Sequence, residues 1–360
     1  MTNPAPRFFV FCFSVVIAFS LGLAAGPAHA AEAFKEQLSG RTVKLIIAGS
    51  AGGGHDAYGR TLIKHLQTVL PETTFVAQNN RKAGGLLAAQ DVQNASGETI
   101  VLGLFHPSLI YMQLLDQQKE AFDLNNFKWI ASLSHDQRFY GARRDFPDPT
   151  LKGLKDYDKQ PLSGTSAAGA RSDVELLLAS ALTGLRTKIV YGFRSSAQRK
   201  AIIAGEIDMI VGSIASNQKL VESGDLIPFL RISKDGYPDS MAGVPALPDQ
   251  VRADAPPELV DLMAAINETG RILAASPAVE EKTIVALRSA VDAVFASQDY
   301  AAENKSLGLY LDPTPGEQVE ARVKSLISDK PKLKTILAKA VECGRQISDG
   351  KIEACDFAGW

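Results

Sequence analysis

Two α/β lobes with mostly parallel sheets are predicted by three features of the sequence. Short apolar runs alternate with longer amphipathic stretches, and the order strand, glycine-rich loop, helix occurs twice. The chain, at 360 residues, also exceeds what one hydrophobic core usually serves.

Val43-Lys44-Leu45-Ile46-Ile47-Ala48 is short, apolar and β-branched, hence a strand, and it runs into Gly49-Ser50-Ala51-Gly52-Gly53-Gly54. Tyr58, Leu62, His65, Leu66 and Val69 then fall on one side of a helix, which Pro71 stops. Residues 74–78 form a second strand, 85–92 a helix and 100–104 a third strand. That βαβαβ order implies parallel pairing with right-handed crossovers. The same grammar restarts at Gln160-Pro161-Leu162-Ser163, which enters Gly164-Thr165-Ser166-Ala167-Ala168-Gly169. A helix at 172–182, a strand at 187–191, a helix at 196–204 and a strand at 207–211 follow. Residues 127–144, with Trp129 and Ile130, and the proline-rich 226–250 read as crossings between lobes. From Pro257 onward the pattern is helical, with one strand at 271–275. The first lobe is therefore expected to hold residues 31–130 and 251–360, and the second 131–250.

The chain carries 38 Lys+Arg against 40 Asp+Glu, a formal charge of −2, with 46% hydrophobic residues. Near-neutrality excludes the basic face that nucleic acid requires, and this much apolar surface excludes a disordered chain. Only the first thirty residues break the average. Arg7, an apolar run over residues 8–23 and Ala28-His29-Ala30 form a signal peptide cleaved after Ala30, which places the mature chain in the periplasm. The alternative is an uncleaved anchor, but the run is short of the roughly 20 residues that span a bilayer. Cys12 lies inside the run and lacks the small residues that precede a lipid-modified cysteine. Loss of residues 1–30 removes one Arg and no acid, moving the formal charge from −2 to −3. Cys343 and Cys355 remain, and an even pair in an oxidising compartment is expected to form a disulfide.

A helix N-terminus presents free N–H groups and a partial positive charge, and a glycine-rich turn lets a ligand approach them. Both loops fall at the carboxyl ends of parallel strands, where ligands of open α/β sheets bind. Facing each other, they suit a small carboxylate. Either loop alone is equally a tight βα turn.

Enzymatic readings are weaker. Ala48-Gly49-Ser50-Ala51-Gly52 resembles a nucleophile elbow that would use Ser50, but the strands that build an oxyanion hole ought to precede it. Gly52-Gly53-Gly54-His55-Asp56-Ala57 matches a dinucleotide fingerprint, yet Gln78-Asn79-Asn80 offers no acid for a ribose. No cofactor is expected. Among the histidines outside the signal (His55, His65, His106, His135) none has zinc-helix spacing, so no metal is expected. His55 in the first turn of its helix and His106, after Phe105 at the end of the third strand, are candidate ligand donors. Asp56 either caps free N–H groups or reads a hydroxyl or ammonium on the ligand. His65 reads as a helix-surface or packing residue.

These same segments resemble the extracytoplasmic receptors of tripartite tricarboxylate transporters, the TctC or Bug family. The hallmarks are a strand running into G-G-G-T-D, then E-N-R-x-G-A-G-G, then G-x-x-G-x-G, then G-x-V-D. Here they read Gly52-Gly53-Gly54-His55-Asp56, Asn79-Asn80-Arg81-Lys82-Ala83-Gly84-Gly85, Gly164 to Gly169, and Gly205-Glu206-Ile207-Asp208. Leu230-Arg231-Ile232-Ser233 and Val244-Pro245-Ala246-Leu247-Pro248 resemble the return strand and its V-P-T-L segment, so the likeness spans residues 41–327 in order. Departures are His55 for Thr, Ala48 and Lys82 where prolines are usual, and the cysteine-bearing tail.

The resemblance implies a periplasmic-binding-protein-like Venus flytrap (type II) closing on one small organic acid, a monomer with no enzymatic activity. It also implies delivery of that acid to membrane transporter subunits. A sensory receptor of the same fold is the alternative. The contacts the resemblance implies are Ala51, Gly52, Gly53, Gly54, His55, Asp56, Gly84 and Gly85 in the first lobe and Thr165 to Gly169, with Thr165, Ser166, Ala168 and Gly169 as candidates, in the second. The reading of the residues themselves adds Ser50, Phe105 and His106 in the first lobe, and Arg171 (a fixed positive charge after the loop) and Asp208 in the second.

Overall fold

A computed structural model describes residues 34–116, 121–328 and 331–360. The signal peptide expected at 1–30 lies outside the described residues. The first strand, β1 (Thr42–Ile47), buries Val43, Leu45, Ile46 and Ile47 and pairs in parallel with β2 (Thr74–Asn79) and β3 (Ile100–Phe105). Helix α1 (Gly54–Val69) turns Tyr58, Leu62 and Leu66 inward, all at 1% exposure, and stops before Pro71, whose ring disfavours helix in the residue ahead of it. It packs close on β1, since a Cβ on Gly59 would stand 2.8 Å from Ile47 Cδ1. Helix α2 (Leu86–Gln93) leads into β3, and α3 (Ser108–Leu114) follows it.

The two expected crossings contain strands of their own. β4 (Lys128–Ser132) stays in the first sheet, residues 133–137 cross, and β5 (Arg138–Arg143) enters the second sheet. Helix α4 (Leu151–Asp156), β6 (Leu162–Gly164), α5 (Arg171–Thr183), β7 (Lys188–Val190), α6 (Ser195–Ile203), β8 (Met209–Ser213) and α7 (Ile214–Glu222) complete that lobe. Residues 226–231, expected as part of a crossing, form its edge strand β9 (Leu226–Arg231), where Pro228 is tolerated. The chain returns through α8 (Pro257–Thr269) to β10 (Ile272–Ala275), then α9 (Glu281–Phe295), α10 (Gln298–Ser306), the short β11 (Thr314–Pro315) and α11 (Gly316–Ile327).

The sheet orders are β11-β4-β10-β3-β1-β2 and β7-β6-β8-β5-β9. Mostly parallel sheets were expected, but both are mixed: β10 runs against β3 and β4, and β5 runs against β8 and β9. The reason is topological. A strand that enters from the other lobe arrives at the opposite end of the sheet from one delivered by a βα crossover.

A second difference concerns the C-terminus. Residues 251–360 were expected in the first lobe, yet helix α12 (Pro331–Ser348) packs along α5 of the second. The contact is tight: a Cβ on Gly344 would stand 2.1 Å from the Leu177 carbonyl oxygen. Cys343 and Cys355 form a disulfide across this tail, worth about 3 kcal/mol for a loop of that length.

The outgoing and returning segments are stitched together. Leu133 N–H donates to Arg271 O, and Arg271 N–H to Ser134 O, each at 2.9 Å. Asp136 N–H donates to Asn267 O at 3.1 Å. Gly270 has φ +71° and ψ −148°, and a Cβ there would lie 1.9 Å from Ser134 O, so only glycine fits beside the crossing. Phe105, Trp129, Tyr140 and Leu176 belong to one apolar cluster that runs through both lobes. The crossing segment and this cluster bring Asp136, Arg138, Arg171 and Arg271 to one place.

A cationic cavity between the lobes

The two glycine-rich loops are built alike. Gly52 and Gly169 have φ +70° and +75°, and each donates its N–H to an aspartate four residues on. Gly52 N reaches Asp56 Oδ2 at 2.9 Å, and Gly169 N reaches Asp173 Oδ2 at 2.7 Å. Asp56 is braced by Arg60 (2.8 Å) and Asn79 (2.9 Å), and Asp173 by Tyr191 (3.1 Å) and Arg345 (3.3 Å) on α12. Each loop thus satisfies an N–H internally, and a carboxylate sits by each helix start. Asp56 accepts a loop N–H, that of Gly52, and makes no bond to the N–H groups of the helix's first turn.

Formal positive charge in the site comes from guanidinium groups. A cavity of about 210 Å³ between the lobes is lined by His55, Gly84, His106, Ser108, Asp136, Arg138, Ser166 and Arg171. Gln198, Arg199, Ser213, Ser216, Asn217 and Arg271 complete its polar wall. Asp136, 2% exposed, lies 3.0 Å from Arg271 Nη2 and accepts from Arg171 Nη1. Glu175, 1% exposed, accepts from Arg171 Nε at 2.8 Å and from Arg138 Nε at 2.7 Å. Arg271 also lies over the Tyr58 ring at 4.5 Å. Arg171 and Arg271, both buried, and the mostly buried Arg138 face two buried carboxylates, an excess of one positive charge within this cluster, and Arg199 adds a further cation to the cavity wall. Isolated buried charge is costly unless paired. Two buried nitrogens of the cluster, Arg171 Nη2 and Arg271 Nε, have no protein partner.

Burial opposes ionisation of Asp136, yet Arg271, then Arg171 and Arg138, outweigh it and hold the carboxyl well below its usual range. The His55 and His106 rings stack at 3.7 Å. Burial, with Arg171 and Arg271 opposed by Asp136, pushes His106 down to about 3. Burial, then His106 and Arg271, lowers His55 well below its ordinary value. Both rings are therefore neutral near pH 7, each able to donate one hydrogen bond. Neither nitrogen of His55 has a partner of good geometry, although the Phe105 carbonyl stands near enough to favour the protonated ring.

Of the residues the sequence singles out, His55, Gly84, His106, Ser166 and Arg171 line this cavity. Ala168 and Gly169 line an adjoining chamber that shares Gly84 and Ser166. Gly54 faces the second lobe, where a Cβ would stand 3.4 Å from Ser216 Oγ. Thr165 Oγ1 bonds Ser172 Oγ at 2.6 Å, and Gly85, at φ +99°, caps α2. Phe105 is buried with its ring 5.5 Å from Phe127. Ser50 is exposed, with its carbonyl accepting from Gly53 N. Neither Ala51 nor Gly53 lines either space. Asp208 lies apart, paired with Arg143 at 2.9 Å and accepting from Leu162 N at the start of β6. Asp136, Arg138, Glu175 and Arg271 were not singled out by the sequence. The i, i+4 spacing of Arg171 and Glu175 was the one local signal for the cluster.

A larger recess across the crossing is lined by Ile214, Val221, Met241, Leu309 and Tyr310, with its charges, Glu222 and Lys305, exposed to solvent. Among the described residues there is no cluster of metal-ligating side chains and no helix long and apolar enough to cross a membrane.

This architecture is a two-lobed α/β solute-binding fold. No family model matches the chain, and no curated protein is similar to it in sequence. Among solved structures, a TctC solute-binding protein from Polaromonas is 20% identical, with a TM-score of 0.60 over 83% of this chain and 98% of its own. The periplasmic binding protein BugD is 18% identical, with a TM-score of 0.65 over 83% and 97%. MatC from Rhodopseudomonas palustris, with bound malate, is 18% identical, with a TM-score of 0.62 over 84% and 99%. The chain thus shares the fold of TctC and Bug proteins over nearly their whole length.

Proposed function

We propose that this protein is an exported receptor of the TctC and Bug kind, which captures a small organic carboxylate between its lobes and delivers it to the membrane subunits of a transporter. The observation that carries this reading is the interlobe cavity, whose Arg138, Arg171 and Arg271 exceed their carboxylate partners Asp136 and Glu175 by one charge, with Arg171 Nη2 and Arg271 Nε unpartnered. A carboxylate neutralises that excess and accepts from both arginines and from His55. The malate held by MatC, a protein of the same fold, supports this ligand class. Residues 1–30 supply the export signal, and the receptor acts as a monomer in the periplasm. It binds without chemistry. His55, the histidine nearest to Ser50 in sequence, makes no hydrogen bond to it through either ring nitrogen, which speaks against a Ser-His pair there.

A thermal-shift screen of mono-, di- and tricarboxylates, aromatic acids and amino acids tests the reading. An acid at a hundredfold excess over its Kd adds about 2.7 kcal/mol of stability, seen as a raised Tm. Absence of any shift across the screen would contradict it.

A further inference from the structure

The polar cavity continues into a second chamber of about 440 Å³, with Gly84, Ser166 and Ala170 as shared walls. The two halves differ in chemistry. All the charged groups line the first, with Arg199 at its side donating to Ser216 O at 3.3 Å. The second is walled by Leu86, Met112, Ala83, Ala167, Ala168 and Gly169, and Ser166 brings the one side-chain hydroxyl. Gly84 keeps the passage between them open. It has φ +67°, and a Cβ there would come within 3.1 Å of Met112 Cε. A second carboxylate placed in this chamber would meet no side-chain cation to pair with. A hydrocarbon group placed there would lose only unfavourable contact with water.

Resting on the carboxylate-receptor reading, we propose that the ligand is an amphipathic acid. Its anionic head sits against Arg171, Arg271 and His55, and an alkyl chain or aromatic ring fills the chamber beside Leu86 and Met112. The preference is set at that wall, and compact polyacids such as citrate are poor ligands.

Calorimetric titration of the purified protein with acetate, butanoate, hexanoate, octanoate, phenylacetate, malate and citrate tests this. Kd should tighten about two- to fourfold per added methylene until the chamber is full. Phenylacetate should bind at least about tenfold tighter than acetate, by the same burial of apolar surface. Ala168 is an exposed residue of the chamber wall, so Ala168→Asp tests the wall without disturbing a core. It should reduce the preference for octanoate over butanoate by about tenfold, the cost of an unpaired charge beside the chain. A flat response to chain length, or citrate or malate as the tightest ligand, overturns the amphipathic assignment while the receptor reading stands. Failure of every acid to bind overturns both.

Discussion

Arg171→Met weakens binding of the cognate acid by about a hundredfold or more, measured by calorimetric titration against the unaltered protein. The magnitude follows from two losses. A charge-assisted hydrogen bond from Nη2 contributes about 1.5–3 kcal/mol, and each 1.4 kcal/mol is a tenfold change in Kd. The second loss is electrostatic: with Arg171 gone, two arginines face Asp136 and Glu175 and the cluster is neutral. Folding should survive, because Asp136 keeps Arg271 at 3.0 Å and Glu175 keeps Arg138 at 2.7 Å. The cost is therefore below the roughly 3–5 kcal/mol of stranding a buried charge outright. Arg171→Lys should restore little, since one ammonium cannot span Asp136, Glu175 and a ligand as the guanidinium fork does. A Kd within about threefold of the unaltered protein, half a tenfold step on that scale, would remove Arg171 from the site.

The ligand-free protein loses stability as pH falls from 6 to 4, and His106→Phe removes a large part of that loss. His106 sits near 3 in the folded state against 6.5 ordinarily. Between those values the unfolded chain binds a proton that the folded chain does not, so stability declines as pH declines. Above about 6.5 this contribution is fully present, and it is lost progressively down to about 3. Linkage makes this loss on the order of 2–3 kcal/mol between pH 6 and 4 for this ring alone. His55, lowered for the same first cause, burial, acts in the same direction. Phenylalanine keeps a flat apolar ring against His55 but does not titrate. Chemical denaturation at the two pH values checks this, and equal losses in both proteins would show that His106 is not held neutral.

Much of the fold can be read in the sequence because its elements are local. The branched apolar run of β1, the stripe of Tyr58, Leu62 and Leu66 on α1, and the repeat of that grammar at β6 and α5 each lie within a few residues of their own signals. Strand direction is not local. Nothing near Ile272 or Phe139 reveals that β10 and β5 run against their neighbours, because that depends on which lobe the chain has just left. The site divides in the same way. His55, His106 and Arg171 were legible because they follow strand-end loops. Asp136 and Arg138 were not, because each pairs with a residue 35 or 37 positions away. The loop glycines were legible too, but not the fact that Asp56 and Asp173 each occupy one loop N–H, of Gly52 and of Gly169. The loops alone leave out the arginines, which come from other elements of the chain.

The most direct measurement of the central claim is a crystal structure with the tightest acid from the titration series. Its carboxylate is expected within hydrogen-bonding distance of Arg171 Nη2 and Arg271 Nε, beside the stacked His55 and His106. An acid lodged in the recess of Ile214, Met241 and Tyr310, or held by loop amides alone with both guanidiniums untouched, would contradict it.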